Sequence, residues 1–339
     1  MKVKILFRFK TGPWGGGNQF LSAIKDCLSS AGQLAKDMGE ADIVLFDSFN
    51  DADQVLMAKR KYPSIPFVHR VNGPISAYRG RGRHVDDLIY ALTRHVADGV
   101  IFQSQYSKNG NIALGMQCPE KYTVVNNAAR PLFFNGVQTE LPKKKIRIIA
   151  TSWSSNINKG FEVFQYLDRV LDFSKYAMTF VGSSPIQFKN ITMIPPQNAP
   201  LLLGHLLNHD IYLAASKNDP CSNAVLEALA VGLPVVALRS GGTPELVGTA
   251  GEYFDNATGV IDALDAVSID IQKYRDQIRR RSIDDACVEY VSFFEKVLQS
   301  SAAPKKLTVA GLMEIQSWRA LRKMHLGVDK LGRALGGGI

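Results

Sequence analysis

Two acidic residues eight positions apart, Asp219 and Glu227, bracket the run Asp-Pro-Cys-Ser-Asn-Ala-Val-Leu-Glu. Pro220 forces a turn after the apolar stretch 210–215, and Ser222 or Asn223 is suited to cap a helix that stops at Gly232, just before Pro234. A helix opening at the carboxyl end of a parallel strand offers free N–H groups and the positive end of its dipole, a ready site for phosphate. The diphosphate of a nucleotide-activated substrate fits such a site. Glu227 falls in the second helical turn, where a carboxylate packed on a sheet is costly without partners. Beside a bound nucleotide it would accept both hydroxyls of a ribose. Asp219, ahead of the helix, is expected to point at whatever extends beyond the phosphates.

The elements that must position these groups are legible as alternating strand and helix patterns. Continuous apolar runs predict strands near 3–9, 42–47, 66–69, 99–102 and 122–125, then near 146–151, 177–182, 191–194, 210–215, 234–238 and 251–254. Runs such as Ile43-Val44-Leu45-Phe46, separated by helix-length segments, indicate parallel strands buried on both faces. The fold class is therefore α/β, with two doubly wound Rossmann-like units facing each other across a cleft. The 339-residue length agrees with two domains. The seam is placed where Pro142 and three consecutive lysines interrupt the pattern. The expected division is 1–140, 141–299 and a basic extension 300–339.

The stretch from Asp219 to Glu245 resembles the signature of the retaining glycosyltransferases of the GT-B fold, group 1 (family 4). The resemblance rests on the Asp219/Glu227 spacing, Glu-Ala-Leu-Ala-Val-Gly-Leu-Pro-Val-Val (227–236) and Gly-Gly-Thr-Pro-Glu (241–245). It implies that Glu227 holds the donor ribose, that the backbone of Cys221, Ser222, Asn223 and Ala224 holds phosphate and sugar hydroxyls, and that Asp219 contacts the transferred sugar. The glycine cluster Gly15-Gly16-Gly17 is similar to the family's glycine-rich loop, so Gly16 and Gly17 would approach the donor. Lys159, in Asn-Lys-Gly, would be the cation on the donor diphosphate. Gly182, closing a strand, matches a further landmark. Three positions depart from the pattern, the first being Asp219, one methylene shorter than the family's Glu. Ser154 stands where the family has Arg, and Asn72 where many members place a catalytic His, which puts full activity in question. His69, nearby on a strand, is read equally well as a catalytic or an ordinary buried histidine. Arg8, Lys10, Arg79, Arg81 and Arg83 are candidates to replace the missing charge.

The resemblance implies transfer of a sugar from a UDP- or GDP-linked donor to an acceptor hydroxyl with retention, and no cofactor is expected. The acceptor would be a glycan, a lipid-linked sugar or a small molecule, in the setting of surface glycan synthesis. Fixed cations and helix dipoles suit a developing diphosphate charge. No Asp-x-Asp triplet of the metal-chelating kind is recognised, so no metal is expected. A nucleotide-sugar epimerase on the same plan and a catalytically weakened nucleotide- or glycan-binding subunit are the rival readings.

Charge and composition bound the rest. The net charge is +9, and residues 303–339 hold seven Lys or Arg against two acidic residues, so more than half of the excess sits in the tail. With no interleaved basic and aromatic platform, nucleic acid is not expected as a partner. Four scattered cysteines, without paired spacing, fit a reducing cytoplasm with neither disulfide nor zinc. No apolar run reaches the ~18 residues of a membrane span. Ile315, Trp318, Leu321 and Met324 recur every third residue, which leaves three readings of the tail: an interfacial helix at a membrane, packing back onto the first domain, or disorder. The last eight residues are expected to be unstructured.

Overall fold

The computed structural model describes residues 1–10, 15–142 and 144–335. Five parallel strands form the first sheet in the order β1 (Val3–Leu6), β2 (Ile43–Asp47), β3 (Phe67–Val71), β4 (Gly99–Phe102) and β5 (Tyr122–Val124). The second sheet holds β6 (Ile146–Ser152), β7 (Tyr176–Gly182), β8 (Thr192–Ile194), β9 (Ile211–Ala214), β10 (Val235–Leu238) and β11 (Gly251–Phe254). Its strands, also parallel, lie in the order β11-β10-β9-β6-β7-β8. Every predicted strand is present. β2, β3, β4, β9 and β10 are buried along their whole length, because helices cover both faces of each sheet.

The chain leaves β6 toward β7 and β8, then returns to place β9 on the other side of β6. That reversal opens a crevice at the carboxyl ends of β6 and β9, the place where open α/β sheets bind ligands. Lys159 follows β6 and Asp219 follows β9, so both predicted residues are delivered to it.

Two long helices pack on the first sheet. The return helix Ile283–Leu298 buries Ala286, Tyr290, Phe293 and Phe294 against Val3, Phe20 and Leu45 of the first unit. Packing thus assigns it to the first sheet rather than to the 141–299 unit. An amphipathic stripe says that a helix covers a sheet, not which one. The same helix carries Cys287, which forms a disulfide with Cys27 of the helix Gly16–Ser30, their Cα atoms 6.7 Å apart. This corrects the expectation of four isolated thiols: a separation of 260 residues gives no spacing signal, and only the crossing back brings the pair together. Cys118 and Cys221 are free.

The terminal helix Val309–Leu335 resolves the tail in favour of packing onto the first domain. Ile315 is fully buried in the first core and Trp318 packs against it. Glu314 accepts from Arg94 at 2.8 Å and meets His95 Nε2 at 2.7 Å. Helix continues through residue 335, so 332–335 are not the irregular end expected; 336–339 lie outside the described residues. Among the described residues no helix is long and apolar enough to cross a membrane.

Candidate active site

The helix Asn223–Ala230 begins as its sequence dictates, with the Ser222 hydroxyl accepting from Val225 N. Just before it, the double glycine of the motif finds its reason. A Cβ at Gly241, where φ is +66°, would lie 2.3 Å from the Asp219 carbonyl oxygen, and one at Gly242 would lie 2.1 Å from that of Pro220. Only glycine lets this turn press against the Asp219–Pro220 backbone and fix it.

Lys159 Nζ stands 3.3 Å from Asp219 Oδ2 and 5.4 Å from the centre of the Tyr78 ring. Burial works against its charge, but Asp219 and the Tyr78 hydroxyl outweigh that and hold Lys159 above the ordinary lysine range. It is a permanent cation. Thr151, Tyr212, Ser222, Ala224 and Thr243 line the same space, and the Tyr212 hydroxyl is 2.8 Å from Thr151 Oγ1. Burial pushes Tyr212 up to about 12, so it stays a neutral hydrogen-bonding group.

Glu227 is buried, 8% exposed, and its Oε1 accepts from Arg130 Nη2 at 2.9 Å. Burial raises its pKa while Arg130 opposes the rise. Arg130 was not anticipated; its one signal is a lone cation in the interdomain stretch Asn-Asn-Ala-Ala-Arg-Pro. Cys221 is buried, its thiol pushed up to about 12 by burial, and its sulfur accepts from Asn127 N at 3.2 Å, so its side chain is not a nucleophile. Asn223 spans the two halves: its Nδ2 donates to the Gly16 carbonyl at 3.0 Å, and its Oδ1 accepts from Asn127 Nδ2 at 2.8 Å. Gly16 is therefore at the site, and a Cβ there would meet Asn223 Nδ2 at 3.0 Å.

Asn72 reaches the cleft next to Gly73, where a Cβ would lie 2.5 Å from Pro220. Its Oδ1 accepts from Arg70 Nη1 at 2.6 Å. Arg70, a second unanticipated residue, is a fully buried hub whose guanidinium also reaches Asp47 at 2.6 Å and Gln103 and Asn127 at 2.8 Å. Asn127 in turn bonds Cys221 and Asn223, which links Arg70 to the second unit. Its signal was an arginine in the midst of the apolar strand Phe-Val-His-Arg-Val.

The other expected residues make contacts of their own. Ser154 is exposed and folds on its own loop, its carbonyl accepting from Ser152 and its hydroxyl from Asn156 N. Gly182 packs its backbone on Ser152, and nothing lies within 4 Å of a Cβ at Gly17. His69 is an ordinary buried histidine: it stacks on Phe46 at 4.2 Å, with Nε2 2.9 Å from the Ser48 carbonyl and Nδ1 2.9 Å from the Thr93 hydroxyl. Arg83 is engaged by Asp87 and the Leu114 carbonyl, and Arg8 by Asp51, so neither supplies the missing cation. Contrary to the sequence expectation, an Asp-x-Asp spacing does occur at Asp51-Ala52-Asp53, where Asp51 is engaged by Arg8 and Asp53 by Arg319. Among the described residues no cluster of His, Cys, Asp and Glu has the geometry to hold a metal.

Further contacts close the cleft. Glu245 accepts Gln105 N at 2.7 Å and Tyr106 N at 2.6 Å, capping a first-domain helix from the second domain. Asn218 and Asn158 donate to the carbonyls of Ala77 and Tyr78. The space beside Lys159 is 30 Å³. Small-molecule pockets measure ~300–1,000 Å³, so this space alone is smaller than a nucleotide-sized ligand needs.

Residues 157–270 match the family model of glycosyl transferases group 1. That stretch contains Lys159, Asp219, the capped helix and Glu227. The match spans about a third of the chain. HepE of Anabaena, in complex with UDP, superposes with a TM-score of 0.67 at 16% identity, over 87% of this chain and 100% of HepE. Sucrose-phosphate synthase from Thermosynechococcus elongatus superposes with a TM-score of 0.70 at 12% identity, over 89% and 100% of the two chains. Together with the two parallel sheets, these likenesses establish the GT-B fold. In sequence, a probable sucrose-phosphate synthase of Thermosipho melanesiensis is 24% identical over 167 residues, 46% of this chain and 39% of that protein. The chain thus matches well under half the length of that relative.

Proposed function

We propose that the protein is a glycosyltransferase that moves a sugar from a nucleoside-diphosphate sugar to an acceptor hydroxyl, with retention and without a metal, as in family 4. The observation that carries this reading is the convergence of Lys159, the Ser222-capped helix and buried Glu227 on the crevice between β6 and β9. Helix N–H groups and Lys159 would neutralise the leaving diphosphate without reorganising as the bond breaks. Glu227, steadied by Arg130, would accept the ribose hydroxyls. Asp219 would face the transferred sugar, with Asn72 on the acceptor side. A UDP-linked donor is favoured, since HepE was solved with UDP and with UDP-glucose. The acceptor would be a glycan, a lipid-linked sugar or a small molecule, met in the cytoplasm or at the inner face of the membrane.

A binding subunit with weakened chemistry is the second reading, favoured by Ser154 lying outside the pocket and Asn72 replacing a titratable side chain. Proton NMR of the protein with UDP-glucose and UDP-galactose separates the two. Transfer or slow hydrolysis that yields the α-anomer first supports a retaining enzyme. A β-anomer, or strict dependence on a divalent ion, overturns the mechanism; tight binding with no turnover supports the subunit.

A further inference from the structure

The terminal helix runs antiparallel to the helix Arg83–His95, since Gly311 lies against His95 and the His325 ring stacks on His84 at 4.3 Å. The helix Arg83–His95 begins on the cleft side, because it follows the carboxyl end of β3 and the segment Ala77–Tyr78 that touches Asn218 and Asn158. The chain extension therefore carries Arg322 and His325 to the rim of the cleft, beside Arg79.

The carboxylates of that rim are already engaged. Asp86 accepts Ile75 N and Ser76 N, Asp87 pairs with Arg83, and Asp53 pairs with Arg319. Arg79 is exposed, and Arg322 is half-buried with its guanidinium 4.3 Å from the centre of the Phe49 ring. Among the described residues no carboxylate forms an ion pair with either. Burial, then Arg79 and Arg319, lowers the pKa of Arg322; burial, then His325 and Arg322, lowers that of His84, with Asp86 and Asp87 opposing. Arg79 and Arg322 repel each other, an anion between them relieves the repulsion, and His84 and His325 can donate hydrogen bonds to it.

We infer that Arg79, Arg322, His84 and His325 form a binding site for a phosphate or diphosphate group, carried by the acceptor of the reaction proposed above. Arg79 follows Tyr78, which abuts Lys159, so an anionic group held here leaves the rest of the acceptor within reach of the crevice. The terminal helix is then part of the acceptor site, and not only a brace on the first domain.

The test is calorimetric titration of inorganic pyrophosphate into the full chain, with UDP present in excess to occupy the Lys159 side. Arg79→Gln and Arg322→Gln are compared with Arg169→Gln, an exposed arginine of the second domain. Binding roughly tenfold weaker in the first two and unchanged in the third is expected, the loss of one charge-assisted hydrogen bond. Arg79→Gln keeps the test valid should Arg322→Gln disturb the packing on Phe49. Undetectable binding, or binding indifferent to both substitutions, overturns the inference. If UDP itself fails to bind while pyrophosphate binding still depends on Arg79 and Arg322, the donor reading falls and the anion site stands. Flotation with phosphatidylcholine vesicles, with and without phosphatidic acid, separates the sources: retention dependent on phosphatidic acid and Arg79 assigns a lipid-borne phosphate, and binding in solution alone assigns a soluble one.

Discussion

Replacing Lys159 by Met takes one permanent cation from the crevice and leaves Asp219, whose side chain is 14% exposed, without its ion partner at 3.3 Å. Both consequences act in one direction on an incoming diphosphate, since attraction is lost and the Asp219 charge is unmasked. Removal of one preorganised group that stabilises transition-state charge costs ~3–4 kcal/mol, or ~10²- to 10³-fold in turnover. Lys217 is the control. It lies two residues before Asp219 and pairs with Glu162 at 2.6 Å, but both side chains are nearly half exposed, at 48% and 45%. Such surface pairs contribute ~0–1 kcal/mol. Release of UDP from a UDP-sugar under single-turnover conditions is the assay, with and without acceptor. Lys159→Met is expected to fall at least ~100-fold and Lys217→Met by less than about threefold. A Lys159→Met rate within about threefold of wild type, or an equal loss in both variants, refutes the role assigned to Lys159.

Four further outcomes follow from the geometry. Arg70→Met leaves Asp47 buried without its partner, a loss of ~3–5 kcal/mol that should lower the denaturant midpoint of the first domain; a change below ~1 kcal/mol contradicts the hub. His69 is depressed to about 3 by burial, against ~6.5 unfolded, so the unfolded chain binds the extra proton between those values. Its contribution is complete above ~6.5 and is lost as pH falls toward 3, by up to ~1.4 kcal/mol per unit; in His69→Gln that part of the slope in a pH series of unfolding curves should vanish. Gly182→Ala, with φ at +139° and its Cβ 1.8 Å from the Ser152 carbonyl oxygen, should yield little folded protein, while Gly204→Ala, on an open helical position, should raise the melting temperature slightly, worth ~0.5–1 kcal/mol. Glu245→Ala removes the cap on Gln105 and Tyr106 and should enlarge the radius of gyration measured by small-angle scattering; an unchanged radius argues against Glu245 as a clasp.

The central strands were legible because parallel strands covered on both faces are apolar throughout, as in β2, β3, β4, β9 and β10, and turn residues bounding short runs marked the more exposed β5 and β8. The crevice was legible for the same reason: Asp219, Ser222 and Glu227 are tied to one strand end and one helix, so sequence distance fixes their spatial relation. What escaped were relations between distant segments. The return helix, the Cys27–Cys287 pair and the docking of the terminal helix on Arg83–His95 depend on which surface an amphipathic face meets. Arg130 and Arg70 escaped because each looks like a single charge out of place until its partners, Glu227 for one and Asp47 with Asn72 and Asn127 for the other, arrive from 23 to 97 residues away in most cases. Ser154 shows the converse, a motif position whose side chain and carbonyl bond within their own loop.

The most direct test of the central claim is calorimetric binding of UDP, GDP and ADP to the wild type and to Glu227→Gln. The account predicts selective binding of one nucleotide, with UDP favoured, and a loss of at least roughly tenfold in the variant, as the ribose loses a charged hydrogen-bond acceptor. Absence of binding for all three at millimolar concentration, or equal affinity in wild type and variant, would contradict the assignment of the β6–β9 crevice as a nucleotide-sugar site.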